Sequence, residues 1–179
     1  MERLPGSQST GPVPNHIIEQ YAGRVPSEII EMWSQYGYGT AVDGFIKIID
    51  PDEYRERLAE SLPRPDLIPV FATGLADIIA WDGQYYVDFK YRYGTVAGLG
   101  SELPYFHLFL DDEEFLREDL EWSAFPKAVA ELGPLAADEC FGYVPLLALG
   151  GPEKVSHLSK VKLIEHVNLI TQLAGPIQY

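Results

Sequence analysis

The sequence predicts an α+β fold in which a largely antiparallel central sheet is flanked by helices. Three observations carry this expectation. Tyr85, Val87, Phe89, Tyr91 and Tyr93 alternate with Gln84, Tyr86, Asp88, Lys90 and Arg92, a period of two held over ten residues. Just before that run, Asp82-Gly83 supplies the left-handed backbone of a two-residue hairpin, so the strand has an antiparallel neighbour. Elsewhere the period changes: Ile29, Ile30, Trp33 and Tyr36 recur at spacings of three and four, the pattern of a helix with one apolar face. At 179 residues, 46% of them hydrophobic and 12% aromatic, the chain has enough apolar material for one well-cored body.

The elements follow in order. Leu4 to Asn15 is rich in Pro, Gly, Ser and Thr and reads as an irregular arm, with Asn15 capping a short helix through Ala22. Pro26, Ser27 and Glu28 suit the first turn of the next helix, which Tyr36-Gly37-Tyr38-Gly39 ends. Gly44 to Ile49 is a strand. Asp50-Pro51-Asp52-Glu53 then opens a helix to about Leu62, because Asp caps well and Pro fits the first turn. Leu67 to Ala72 and Asp77 to Trp81 are strands leading into the hairpin, where one face is expected to be buried and the other wet. Gly94 to Gly100 continues or ends the meander, and Tyr105 to Leu110 is a further strand. Helices follow at Asp111-Asp112-Glu113-Glu114 and from Ser123 to Leu132, the latter stopped by Gly133-Pro134. Phe141 to Leu149 reads as a buried strand. Val161, Ile164, Val167, Ile170 and Leu173 form the stripe of a last helix.

Charge narrows the function classes. A net charge of −14 argues against direct nucleic-acid binding, which needs Lys and Arg to neutralise phosphates, and against an anionic membrane surface. Basic partners are the ones an acidic body attracts. The charge is concentrated: Glu102, Asp111, Asp112, Glu113, Glu114, Glu118, Asp119 and Glu121 stand against the single base Arg117, whereas the segment from Gly151 onward is neutral to slightly basic. One cysteine, Cys140, forms no internal disulfide and fits a reducing cytoplasm; no apolar run approaches a membrane span, and the N-terminus lacks signal-peptide features.

Catalytic patterns are missing. His16, His107, His157 and His166 make no metal-binding spacing, so no metal or cofactor is expected, and each reads better as a structural histidine. Cys140 has no nucleophile signature around it. Gly94 to Gly100 lacks the lysine and hydroxyl residue of a phosphate loop and reads as a turn or bulged strand. Asp77, Asp82 and Asp88 gather near one hairpin, but Asp82 has a turn role and alternation separates the others. Tyrosine and tryptophan are abundant and favour protein–protein hot spots. Tyr36, Tyr38 and Asp43 fall in a glycine-bearing loop suited to such anchors, while Tyr85 and Tyr91 read as core.

Two blocks carry a resemblance to a known family. Val25-Pro26-Ser27-Glu28-Ile29-Ile30-Glu31-Met32-Trp33, with Asp43-Gly44-Phe45 and Asp50-Pro51-Asp52-Glu53-Tyr54, resembles the GAD-like domain and is similar to the broader SUKH (SMI1/KNR4-like) immunity superfamily. Leu132-Gly133-Pro134-Leu135-Ala136-Ala137-Asp138-Glu139-Cys140-Phe141-Gly142-Tyr143-Val144-Pro145 comes next. Leu149-Gly150-Gly151-Pro152-Glu153-Lys154 and Leu158 to His166 complete a block that resembles the C-terminal domain of Tdi-type immunity proteins. The resemblance implies an SMI1/KNR4-like fold, a GAD-like half over 1–101 and a Tdi C-terminal half over 102–179 in one compact body. It also implies a non-enzymatic cytoplasmic protein that blocks a co-encoded, basic type VI secretion DNase. The interface expected from charge and aromatic placement is Tyr36, Tyr38 and Asp43 together with Asp111, Asp112, Glu113, Glu114, Glu118, Asp119 and Glu121. Gly142, Gly150 and Gly151 read as backbone turns, with Pro145 and Pro152 directing the chain. A general interaction module with another partner, or a small-molecule-binding enzyme, are the competing readings.

Overall fold

The computed structural model describes Leu4, residues 6–101 and residues 110–179. Seven strands form one antiparallel meander in sequence order: β1 (Gln8–Gly11), β2 (Tyr38–Ala41), β3 (Ile46–Ile48), β4 (Ile68–Thr73), β5 (Ile78–Trp81), β6 (Tyr86–Lys90) and β7 (Thr95–Gly100). A separate two-stranded antiparallel sheet pairs β8 (Glu139–Tyr143) with β9 (Leu158–Lys162). The α-helices that lie wholly within the described residues are α1 (Asn15–Tyr21), α2 (Ser27–Tyr36), α3 (Pro51–Arg57), α4 (Glu113–Glu118), α5 (Ala124–Leu132) and α6 (Leu163–Ala174). The α+β expectation with an antiparallel central sheet is what the molecule adopts.

The large sheet is covered on both faces, and this decides what is buried. On one face, Ile17 and Tyr21 of α1, Ile29, Met32 and Trp33 of α2, Leu116 of α4 and Phe125 of α5 pack on Ile46, Ile79 and Tyr86. On the other, Tyr54 of α3 and Leu163, Ile164, Val167 and Ile170 of α6 pack on Ile78, Val87 and Phe89. Each fully buried large apolar side chain contributes about 1.5–3 kcal/mol. The small hairpin straddles both cores: Cys140 enters the second and Phe141 and Tyr143 the first, as period two requires. Its anchor is backbone, with Phe141 N donating to Gly74 O at 2.7 Å. Gly142 is no turn. It lies within β8, where an added β-carbon would overlap the ring of buried His166 on α6.

Several expected boundaries move. Gln8–Gly11 is an edge strand rather than an irregular arm; Asn15 sits inside α1, whose cap position is Pro14 and makes no side-chain cap bond. Asp50 does cap α3, accepting from Asp52 N and Glu53 N, but that helix stops at Arg57. The hairpin turn spans Asp82 to Tyr85: Asp82 Oδ1 accepts from Gln84 N and Tyr85 N, replacing the backbone carbonyl of a two-residue loop. That shift takes Tyr85 out of the strand, leaving it 45% exposed, while Tyr91 is core as expected. β8 ends at Tyr143 before a cis Val144–Pro145 bond, and the last helix starts at Leu163 because Val161 belongs to β9; Leu173 is exposed. The strand expected at Tyr105 to Leu110 lies outside the described residues except for Leu110. No described helix is long and apolar enough to cross a membrane.

Candidate functional site

Asp112 caps α4, its Oδ1 accepting from Glu114 N at 2.9 Å and Phe115 N at 3.2 Å. Leu116 is buried and Phe115 half-buried against the first core, so the polar side of the segment turns outward. Asp111, Asp112, Glu113, Glu114, Glu118 and Asp119 are all exposed. Arg117 is occupied by its neighbour Glu118 at 2.9 Å. The structure therefore keeps six of the expected acids together on one short surface. Glu121 departs from the expectation. It is half-buried in a left-handed conformation (φ 50°) and pairs with the Lys90 ammonium. It holds the segment rather than presenting it, and Glu102 lies outside the described residues.

The anchoring comes from residues expected to be wet. Lys90 and Arg92 are 4% and 6% exposed because helices cover that face of β6. Lys90 Nζ donates to Asp119 O at 2.8 Å, and Arg92 Nη2 donates to Leu120 O at 3.2 Å. Two buried cations thus donate to the carbonyls just beyond the C-terminus of α4, where the helix dipole is negative. Arg92 Nη2 also lies 3.0 Å from Asp77 Oδ2, an ion pair without hydrogen-bond geometry.

Asp77 and Asp88, held apart in the sequence-based reading, are electrostatic neighbours here. Burial raises the Asp77 carboxyl to about 6, with Arg92 and Lys90 opposing. Asp88 is raised well above the usual carboxylate range, first by burial and then by Asp77, and neither of its oxygens has a hydrogen-bond partner among the described residues. Both causes favour its protonated form. A carboxyl whose folded pKa is raised stabilises the fold below its unfolded pKa of about 3.9 and loses that contribution as pH rises toward the folded value. Asp88→Asn should match the wild type near pH 4 and gain on it by up to about 1.4 kcal/mol per pH unit above that. Urea unfolding at pH 4, 5, 6 and 7 measures this; a constant difference across the series would contradict it.

The tyrosine loop resolves differently. Tyr36 ends α2, Tyr38 opens β2, and both line a groove of about 540 Å³ together with Gln8, Ser9 and Gln35. Asp43 sits apart, exposed in a turn and packed against Gly6. No residue of 110–121 lines this groove. Tyr38 also lines a second cleft of about 260 Å³, bounded by β3, α3 and residues of the C-terminal half such as Asp138 and Ile164. At that cleft lies Lys47, 2% exposed, which was not singled out from the sequence. Its signal is legible in hindsight: one lysine interrupts the apolar run Phe45-Ile46-Lys47-Ile48-Ile49.

The remaining candidates have structural roles or none. Cys140 is fully buried, and burial raises its thiol, which suppresses the thiolate. His166 is buried, and that burial lowers its pKa and favours the neutral ring. His16 is exposed, His157 half-buried, and His107 lies outside the described residues. Thr95–Gly100 forms edge strand β7, whose pairing with β6 shifts register between Tyr86 and Val87, in keeping with the expected turn or bulged strand. Among the described residues no group of three or more His, Cys, Asp or Glu is placed to hold a metal ion.

Two family models match the chain. Residues 1–87 match the GAD-like domain, and residues 101–174 match the C-terminal domain of the T6SS immunity protein Tdi1. No curated protein matches. Among solved structures, the crystal structure of Atu4351 from Agrobacterium tumefaciens superposes with a TM-score of 0.75 at 16% identity. The match covers 93% of this chain and 84% of that one. At that identity the likeness speaks for the shared fold.

Proposed function

We infer that this chain, which belongs to the Tdi1-like type VI secretion immunity proteins by its paired GAD-like and Tdi1 C-terminal domains, works by binding a cognate DNase effector and blocking its access to DNA. The cell that makes both proteins is thereby spared its own toxin. The observation that carries this reading is the exposed acidic surface of α4 and its flanks, three carboxylates on the capped helix and three beside it, with the far end gripped by Lys90 and Arg92. A nuclease binds DNA through Lys and Arg that neutralise phosphates. An acidic surface of fixed geometry competes for those same cations and draws the partner in through long-range attraction. Tyr36 and Tyr38, which line one groove, offer the aromatic surface that favours hot spots. Inhibition on this account needs no catalysis by the immunity protein and takes place in the cytoplasm, where the toxin would meet the genome.

The test is co-expression with the product of the neighbouring gene, followed by purification and a plasmid-cleavage assay. A stoichiometric complex that leaves plasmid intact, with cleavage returning when the toxin is freed by denaturation and refolding, is the expected result. A toxin that cleaves DNA equally well with and without excess of this protein would overturn the reading.

A further inference from the structure

Lys47 lies mid-strand in β3, 2% exposed, and among the described residues its ammonium has one hydrogen-bond acceptor, Ala136 O at 3.2 Å. Burying a charge without an opposite partner is expensive, and burial pushes this amine down to about 8. The carboxylates bordering the same cleft are committed elsewhere. Arg57 takes Glu53 at 2.9 Å and Glu165 at 2.8 Å, Lys162 takes Asp138 at 2.7 Å, and Asp50 caps α3. Tyr38 also borders the cleft, and its buried hydroxyl lies beside the Asp50 carboxylate. The pairing of Thr40 with Lys47 places Tyr38 diagonally from Lys47 on the same face, within reach of long side chains. Ile49, Tyr54 and Ile164 add apolar wall. A cleft of about 260 Å³ is ample for a small organic molecule; a cavity of about 150 Å³ admits benzene.

We propose that this cleft is a binding site for a small monocarboxylate. Its anionic group pairs with Lys47 Nζ, and its short apolar tail lies against Ile49, Tyr54 and Ile164. A cation is disfavoured, since Lys47 repels it and the bordering acids already have partners. Di- and trianions are disfavoured too, because four carboxylates surround the cleft. Occupancy would join β2 and β3 of the N-terminal half to residues 136–138 and α6 of the C-terminal half, independently of any protein partner.

The full chain, titrated with sodium butyrate, tests this by calorimetry and thermal melting. Sodium chloride at equal ionic strength, butylamine hydrochloride and sodium citrate serve as references. Butyrate should bind saturably and raise the melting midpoint, whereas chloride and butylamine should not, and citrate should bind at least tenfold more weakly. Lys47→Met should lose at least tenfold in butyrate affinity while melting no lower than the wild type, because methionine fills the stem's volume and removes an unpaired charge. Wild-type affinity for butyrate should fall at least tenfold between pH 7 and pH 10 as the Lys47 ammonium loses its proton, which gives a second reading if the Lys47 variant fails to fold. The proposal is overturned if butyrate acts no differently from chloride, or if Lys47→Met binds it as the wild type does, or if wild-type affinity is the same at pH 7 and pH 10.

Discussion

Arg92→Met is expected to cost about 3–5 kcal/mol of stability near pH 8, the usual penalty for removing one partner of a buried ion pair. Arg92 is 6% exposed, faces Asp77 at 3.0 Å and donates to the carbonyls of Leu120 and Glu121. Its loss leaves a buried carboxylate uncompensated and releases the turn that follows α4. The cost should grow with pH. Arg92 lowers the Asp77 pKa, so in the variant the folded Asp77 holds its proton to higher pH while the unfolded one ionises near 3.9. Above that value each pH unit removes stability until the folded group itself titrates. Urea unfolding at pH 5 and pH 8 measures both effects, and Asp77→Leu combined with Arg92→Met should recover most of the loss, because a well-packed apolar pair is often as stable as the buried ions it replaces. A single-variant loss below about 1 kcal/mol, or one independent of pH, would show that the pair is unimportant.

Reversing the exposed acids of α4 should act on association rate rather than on stability. Asp112 must be kept, since it caps the helix and its loss alone costs about 1 kcal/mol. Asp111→Lys, Glu114→Lys and Glu118→Lys together change the charge by six units on side chains that are all exposed. Stopped-flow binding to the catalytically inactivated toxin should show association slowed about 10- to 100-fold at low salt, with much of the salt dependence gone. Dissociation should change less, because exposed rim charges govern encounter more than residence. An unchanged rate at every ionic strength would remove the acidic surface from the binding mechanism, whatever the toxin proves to be.

What could be read before the structure is what local physics dictates. Asp50-Pro51 and Asp112 announce helix starts because a side-chain carboxylate satisfies the free N–H groups of the first turn. Gly133 ends α5 because its left-handed backbone suits it to the position after a helix. The alternation from Tyr86 to Lys90 announces a strand whatever covers it. The acidic run was equally legible, since six of its members need only to remain outside.

Everything that depended on a distant partner was decided by tertiary structure. Gln8–Gly11 carries no apolar pattern and is a strand only because β2 offers it a ladder. Val161 fits a helical stripe but lies in β9, since pairing with Cys140 outweighs a local preference. The expected wet face of β6 became a buried charge cluster because α4 and α5 close over it, turning Asp88 into a desolvated acid and Lys90 and Arg92 into the anchor of the acidic helix. Lys47 changed meaning in the same way, from one polar letter in an apolar run to an ammonium in a cleft between the two halves of the chain. The sequence by itself determined the elements, their caps and the sign of the surface. Only the folded chain determined which charges are desolvated, because desolvation depends on what covers a side chain, and a period of two records two faces without recording what lies over them.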